Sequence, residues 1–276
     1  MTAARFGPWR TPRNLSADAA GSIHDDDTAQ ELGLRGGTVA GNIHLNQFVP
    51  SCVDTFGSDW HAHGCLSVWF ERPTLDLEQV RVGIADVDGA AIVHMEQADG
   101  QRTAVGTAHV GEPTTPTELA GRDRRDVDVS SLRILRRLGP GTTFAPRERV
   151  ANGDKQRALL ARDLITEPRP EYDGPDAIAC PLIVVDLLTG IEADMWPLVG
   201  PAVGMYGAIE IAHLGRPVEL DQAYDVRGEV VAVSASPRTE VLWYDSIAAL
   251  DGEDVVRMRM VSRLLKASSP HYADAD

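Results

Sequence analysis

The feature that most constrains this chain is a repeat in the order of its elements. Residues 40–56, AGNIHLNQFVPSCVDTF, carry an apolar body at helical spacing, with Ile43, Gln47, Phe48 and Cys52 filled in by Val39, Val49 and Val53. Four short runs rich in Val and Ile follow at 65–70, 79–86, 90–97 and 103–110, and each reads as a strand. Pro73, Asp88-Gly89 and Asp99-Gly100 separate them, and Asp-Gly between apolar runs is a strong hairpin signal. The order then recurs. A second apolar helix is predicted over 181–196, with Pro181 in its first turn. Strands are predicted over 206–212, 223–233, 240–250 and 255–265, the last two joined by Asp251-Gly252. RPTLDLEQVRV at 72–82 matches RPVELDQAYDVR at 216–227, so the two Arg-Pro turns stand 144 residues apart.

A helix followed by an antiparallel meander cannot cover its own sheet edge, so two copies are expected to pair edge to edge. The predicted fold is α+β, with each half a long central helix wrapped by a curved antiparallel sheet. Residues 1–111 form the first half, 112–139 a linker and 140–276 the second half. The linker opens on Thr-Pro pairs and continues into RDRRDVDVSSLRILRR, which reads as a solvated arginine-rich segment, with phosphate binding as its other reading. Pro50 removes a hydrogen bond from the first helix, so a kink or a frayed second half is expected there.

Charge and cysteine usage narrow the function. With 26 Lys and Arg against 41 Asp and Glu, the formal charge is −15, and no basic excess exists to engage nucleic acid. A chain of 276 residues can bury a core without disulfides, and Cys52, Cys65 and Cys180 show neither a C-x-x-C nor a pairing pattern. No apolar run is long enough to span a membrane, and the first 14 residues lack a signal-peptide core, so a cytoplasmic protein is expected. His61 and His63 have ligand-like spacing but no second ligand pair nearby, so no metal is expected. No Walker loop, dinucleotide fingerprint or Gly-x-Ser-x-Gly elbow is present, and no cofactor is expected.

The densest cluster of unusual residues is 22–46, SIHDDDTAQELGLRGGTVAGNIHLN. The acidic run 25–27 suits a helix start, and the short helix predicted over 27–32 should stop at Gly33. Gly36, Gly37 and Gly41 either pack closely or let a backbone N–H approach a ligand oxygen at the start of the long helix. Asn42 and His44 read as a polar pair on the helix face, with a site role as the alternative.

This segment resembles the active-site segment of the MaoC-like, (R)-specific enoyl-CoA hydratase family. Ile23-His24 matches the family's Ile-His, Asp26 its acidic follower, Ala29 and Gly33 its short helix and helix end. Thr38-Val39-Ala40-Gly41 matches the stretch that opens the central helix. The family's catalytic acid stands five residues before the His; here that position is Ala19, and Asp18 lies one residue further back. Gly21-Ser22 replaces Asn-Pro, and Ala40 stands where the family has a second His. The resemblance covers the first half, and the second half matches as a generic copy without the motif. It implies a double hot-dog with one active site, a hydro-lyase that hydrates an enoyl thioester or dehydrates a 3-hydroxyacyl thioester. The substrate would be carried by coenzyme A or an acyl carrier protein. His24 and Asp18 would be catalytic, and Gly41 and Asn42 would hold the thioester oxygen. Val39, Ile43, Phe48 and Trp69 would line the acyl pocket, and two chains would pair as a homodimer. The competing expectations are a hot-dog that binds an acyl chain or supports a partner without turnover, and a thioesterase or cyclase on the same fold.

Overall fold

The computed structural model describes residues 3–87 and 89–273. The first half supplies strands β1 (Arg5–Phe6), β2 (Gly64–Phe70), β3 (Val80–Val87), β4 (Ala90–Gln97) and β5 (Arg102–Val110). The second supplies β6 (Thr143–Val150), β7 (Gly204–His213), β8 (Ala223–Ala235), β9 (Thr239–Leu250) and β10 (Glu253–Leu265). They form one ten-stranded antiparallel sheet in the order β1-β3-β4-β5-β2-β7-β10-β9-β8-β6. Read outward from the β2–β7 seam, each half has the same strand order, so the halves cover each other's edge as the duplication requires.

The Asp-Gly signals lie at hairpins. Asp251 and Gly252 both take positive φ, 54° and 83°, between β9 and β10, and Gly100 takes 79° between β4 and β5. Asp88 lies outside the described residues; Gly89 beside it has φ 85°, and Val87 pairs with Ala90 across the turn.

Helices α1 (Asp26–Glu31), α2 (Gly41–Phe56) and α3 (Trp60–His63) belong to the first half, and α4 (Gly153–Ala161), α5 (Pro181–Leu188) and α6 (Glu192–Met195) to the second. α2 and α5 pack against each other and against the sheet. Every residue of α2 from Ile43 to Cys52 is buried, as expected of a helix enclosed on all sides. Of the two outcomes expected at Pro50, fraying is not seen: α2 continues to Phe56 and closes where Gly57 N–H donates to the Val53 carbonyl. One expectation needs correction. The predicted helix over 181–196 is not continuous. It stops at Leu188, tightens into a 3-10 turn at Thr189–Ile191 and resumes as α6, because Gly190 is a weak helix former.

The duplication extends to individual hydrogen bonds. Val39 N–H donates to the Thr74 carbonyl and Ala179 N–H to the Val218 carbonyl, both at 2.8 Å. Thr38 bridges to Leu75, and Ile178 to Glu219.

The segment joining the halves is not simply solvated, which corrects the linker reading. Leu119, Leu132, Ile134, Leu135 and Leu138 are buried. Leu119 N–H donates to Ser67 Oγ, and Thr117 Oγ1 donates to Glu210, so this stretch is pinned to β2 and β7. Further on, the buried Glu240 carboxylate accepts from the backbone N–H groups of Arg133, Ile134 and Leu135 and from Tyr272 OH. Arg124, Arg125, Arg136 and Arg137 are exposed, as the composition of the segment led us to expect, while the apolar residues between Arg133 and Gly139 face inward.

Candidate functional site

A cleft of about 970 Å³ is lined by residues of both halves, including His24, Asp18, Val39, Gly41, Asn42 and Ile43. The loop preceding α1 delivers the histidine. Asp25 caps α1 by accepting from Thr28 N–H, and the Thr28 hydroxyl adds a second bond to the same oxygen. Asp26 accepts from Gly37 N–H at 2.6 Å and draws the glycine-rich segment against the loop. Gly37 has to be glycine, because a Cβ there would stand 2.3 Å from the His24 carbonyl oxygen.

The orientation of His24 follows from one contact. Its Nδ1 lies 2.7 Å from the Thr38 carbonyl oxygen. A carbonyl only accepts, so Nδ1 carries a proton, and the lone pair of the neutral imidazole is on Nε2. His24 is half-buried on the cleft wall, an acceptor held in one tautomer by the chain that leads into α2.

Gly41 and Asn42 open α2, and their N–H groups have no intrahelical partner. Ala40, at the N-cap, has no side chain able to cap them, and no hydrogen bond reaches either N–H among the described residues. A Cβ on Gly41 would meet the Phe70 ring at 2.7 Å, so any larger residue there would have to displace that ring. The result is an uncapped helix N-terminus facing the cleft, where the partial positive charge of the helix dipole is concentrated.

Asp18 is on the cleft rim and exposed, in a run of tight turns where Ala20 N–H donates to its carbonyl. No hydrogen bond or ion pair joins its side chain to His24 among the described residues. Two residues expected along the acyl pocket are elsewhere. Phe48 is fully buried in the core and does not line the cleft. Trp69 points to the opposite face of the sheet, because side chains alternate along β2 and its neighbour Phe70 takes the inward position. There it packs on Trp243, and Arg122 and Arg263 lie over its ring at 4.5 and 4.8 Å. The arginines of 122–137 do not line the cleft. His61 lies 3.8 Å from Glu171, His63 is exposed, and among the described residues no group of three His, Cys, Asp or Glu could hold a metal ion.

The second half contributes residues that sequence reasoning missed. Between Val261 and Ser262 the β7–β10 register slips, leaving Gly207 as an extra residue in β7. That bulge turns Tyr206 to the inner face, beside its cross-strand partner Ser262, and both line the cleft. Burial, and then the nearby Glu192 and Asp186 carboxylates, raise the Tyr206 phenol, so it is a neutral hydroxyl. His44 also lines the cleft, and burial lowers its imidazole to about 4, so it too is neutral at pH 7.

No family model matches the chain, and no curated protein matches it in sequence. Solved structures do match. A MaoC domain protein from Chloroflexus aurantiacus J-10-fl, named as a candidate dehydratase, is 11% identical with a TM-score of 0.62, over 96% of this chain and 95% of the other. The conserved hypothetical protein Rv0216 from Mycobacterium tuberculosis, described as a double hotdog fold, is 11% identical with a TM-score of 0.58, over 96% of both chains. A MaoC-like dehydratase is 11% identical with a TM-score of 0.52, over 95% and 96%. The fold of this chain is therefore a double hot-dog, shared over nearly its whole length with MaoC-like proteins.

Proposed function

We propose that this protein is a hydro-lyase that adds water to an enoyl thioester, or removes it from the 3-hydroxyacyl thioester, with residues 1–111 carrying the site and 140–276 completing the cleft. The observation that carries the reading is the free Nε2 of His24 in a cleft that also receives the uncapped N-terminus of α2. Hydration needs both parts. A base must take a proton from water as its oxygen bonds to C3. The C2–C3 double-bond pair then moves toward the thioester oxygen, whose growing charge needs fixed donors. In this reading His24 Nε2 takes the proton, the N–H groups of Gly41 and Asn42 hold the enolate oxygen, and the imidazolium returns the proton to C2. The net change is addition of H and OH across the double bond. Asp18, on the rim, orients the water.

The test is turnover of crotonyl-CoA and longer trans-2-enoyl-CoAs, and of 3-hydroxyacyl-CoAs in reverse. His24→Ala is expected to lose at least about 100-fold in kcat with the fold intact. A second reading is a hot-dog that binds a thioester without turning it over, favoured by the lack of contact between Asp18 and His24. Saturable thioester binding with no hydration of any enoyl-CoA would select it.

A further inference from the structure

We propose that the cleft is built for an acyl group bearing an oxygen function of its own, such as a hydroxyl or keto group along the chain, rather than for a plain alkyl chain. The starting point is a mismatch between lining and ligand. Asn42 Oδ1, His44 Nδ1, Thr74 Oγ1 and Ser262 Oγ are buried side-chain atoms with no hydrogen-bond partner among the described residues, and all four residues line the cleft. Their burial is not marginal: His44 is 4% exposed, Thr74 1% and Ser262 2%. Buried polar groups are normally paired, and those that are not mark a place where something else supplies the partner.

Two walls carry these groups. Asn42 and His44 sit in the first turns of α2, beside the proposed thioester site. Ser262 and Tyr206 face in from the sheet as cross-strand partners, placed there by the β7 bulge. A methylene chain lying against these groups returns nothing, and each is left unpaired. An acyl oxygen between the walls restores a partner. Tyr206 is a donor, Ser262 donates or accepts, and His44 presents a neutral imidazole. The apolar neighbours Leu164, Leu182 and Leu264 keep the remainder of the chain dry. The inference takes its thioester from the hydratase reading, but its own claim concerns the acyl group.

The experiment measures affinity with ligands that cannot be hydrated. Octanoyl-CoA is compared with octanoyl-CoA hydroxylated at C5 or at C8, by titration calorimetry and thermal shift. At least one hydroxylated thioester should bind about 10-fold tighter or more, because a site made to bond a hydroxyl discriminates strongly against the analogue lacking it. Ser262→Ala and Tyr206→Phe should each shrink that ratio. Equal or tighter binding of plain octanoyl-CoA overturns the proposal, as does a ratio untouched by both substitutions. The wild-type comparison stands even if a variant folds poorly. Hydration of the matching 2-enoyl thioesters is measured in parallel. Preferential binding without turnover would reject the hydratase reading and keep this inference, whereas turnover without the preference would do the reverse.

Discussion

The two central helices begin in the same frame and end up in opposite states. Before each, an extended residue donates to a carbonyl on the neighbouring turn, Val39 to Thr74 and Ala179 to Val218. In the first half the Thr38 carbonyl is bonded by His24, which keeps one nitrogen free. In the second half the matching Ile178 carbonyl is bonded by Gln156, whose other end is already used: its Oε1 accepts from Cys180 N–H at 2.8 Å. Asn46, reaching across from α2, then takes the Leu182 N–H. The N-terminus of α5 is thus sealed by two side-chain oxygens, while that of α2 is left open. The cavities follow: about 970 Å³ beside α2, and about 30 Å³ at the matching place, lined by Ile178, Ala179, Pro181 and Val218. Both halves present a helix end in the same frame, and Gln156 with Asn46 closes the end of α5 where that of α2 stays open to the cleft.

The largest effect that could break this comparison is on stability. Gln156 is fully buried and also bonds the Tyr172 carbonyl, so Gln156→Ala strands three backbone groups. We expect a loss of about 3–4 kcal/mol, read by chemical denaturation, with activity per folded molecule retained. A variant as stable as wild type would mean that the second site is not held shut by this residue. His24→Ala should show the opposite pattern: a kcat loss worth about 2.7 kcal/mol or more, with a much smaller change in stability.

Acid should act on both halves. Burial lowers His44, in the open cleft, to about 4, and burial together with His61 lowers His213, beside the closed one, to about 4. The unfolded chain takes up these protons first, near pH 6.5, so stability falls as pH drops from about 6.5 toward 4 and each group stops contributing to the slope below that. Roughly 2 kcal/mol per histidine is expected by pH 5. His213→Asn should flatten the Tm-against-pH curve in that window, and an unchanged slope would refute the assignment. The smallest effect is the most local. Asn46→Ala removes the oxygen over α5, and a loss of about 1 kcal/mol in unfolding free energy should accompany it, as for other helix caps. A null result would show that Gln156 alone seals that end.

Much of this was legible in order and spacing. The repeat, the Asp-Gly turns and the long first helix rest on interactions within a few residues, and periodicity reports those directly. His24, Gly41 and their neighbours could be singled out because the resemblance lies in one continuous segment. The misplacements have physical causes. Choosing Trp69 over Phe70 was a matter of strand parity, since one residue's slip exchanges the faces of a sheet. The edge strand β6, TFAPRERV, is mostly exposed and carries charges and a proline, so it lacks the apolar alternation by which strands are found. The leucines of 132–138 were hidden among arginines, and only contact with the second half turns them inward. By itself the sequence determined the repeated helix-and-meander frame and the segment that opens α2, because local patterns encode local structure. The tertiary structure alone decided that Gln156 and Asn46 close one helix end and that Tyr206 and Ser262 furnish the other cleft, because those pairings join residues far apart in the chain, and no spacing rule records which side chain arrives to satisfy a given amide.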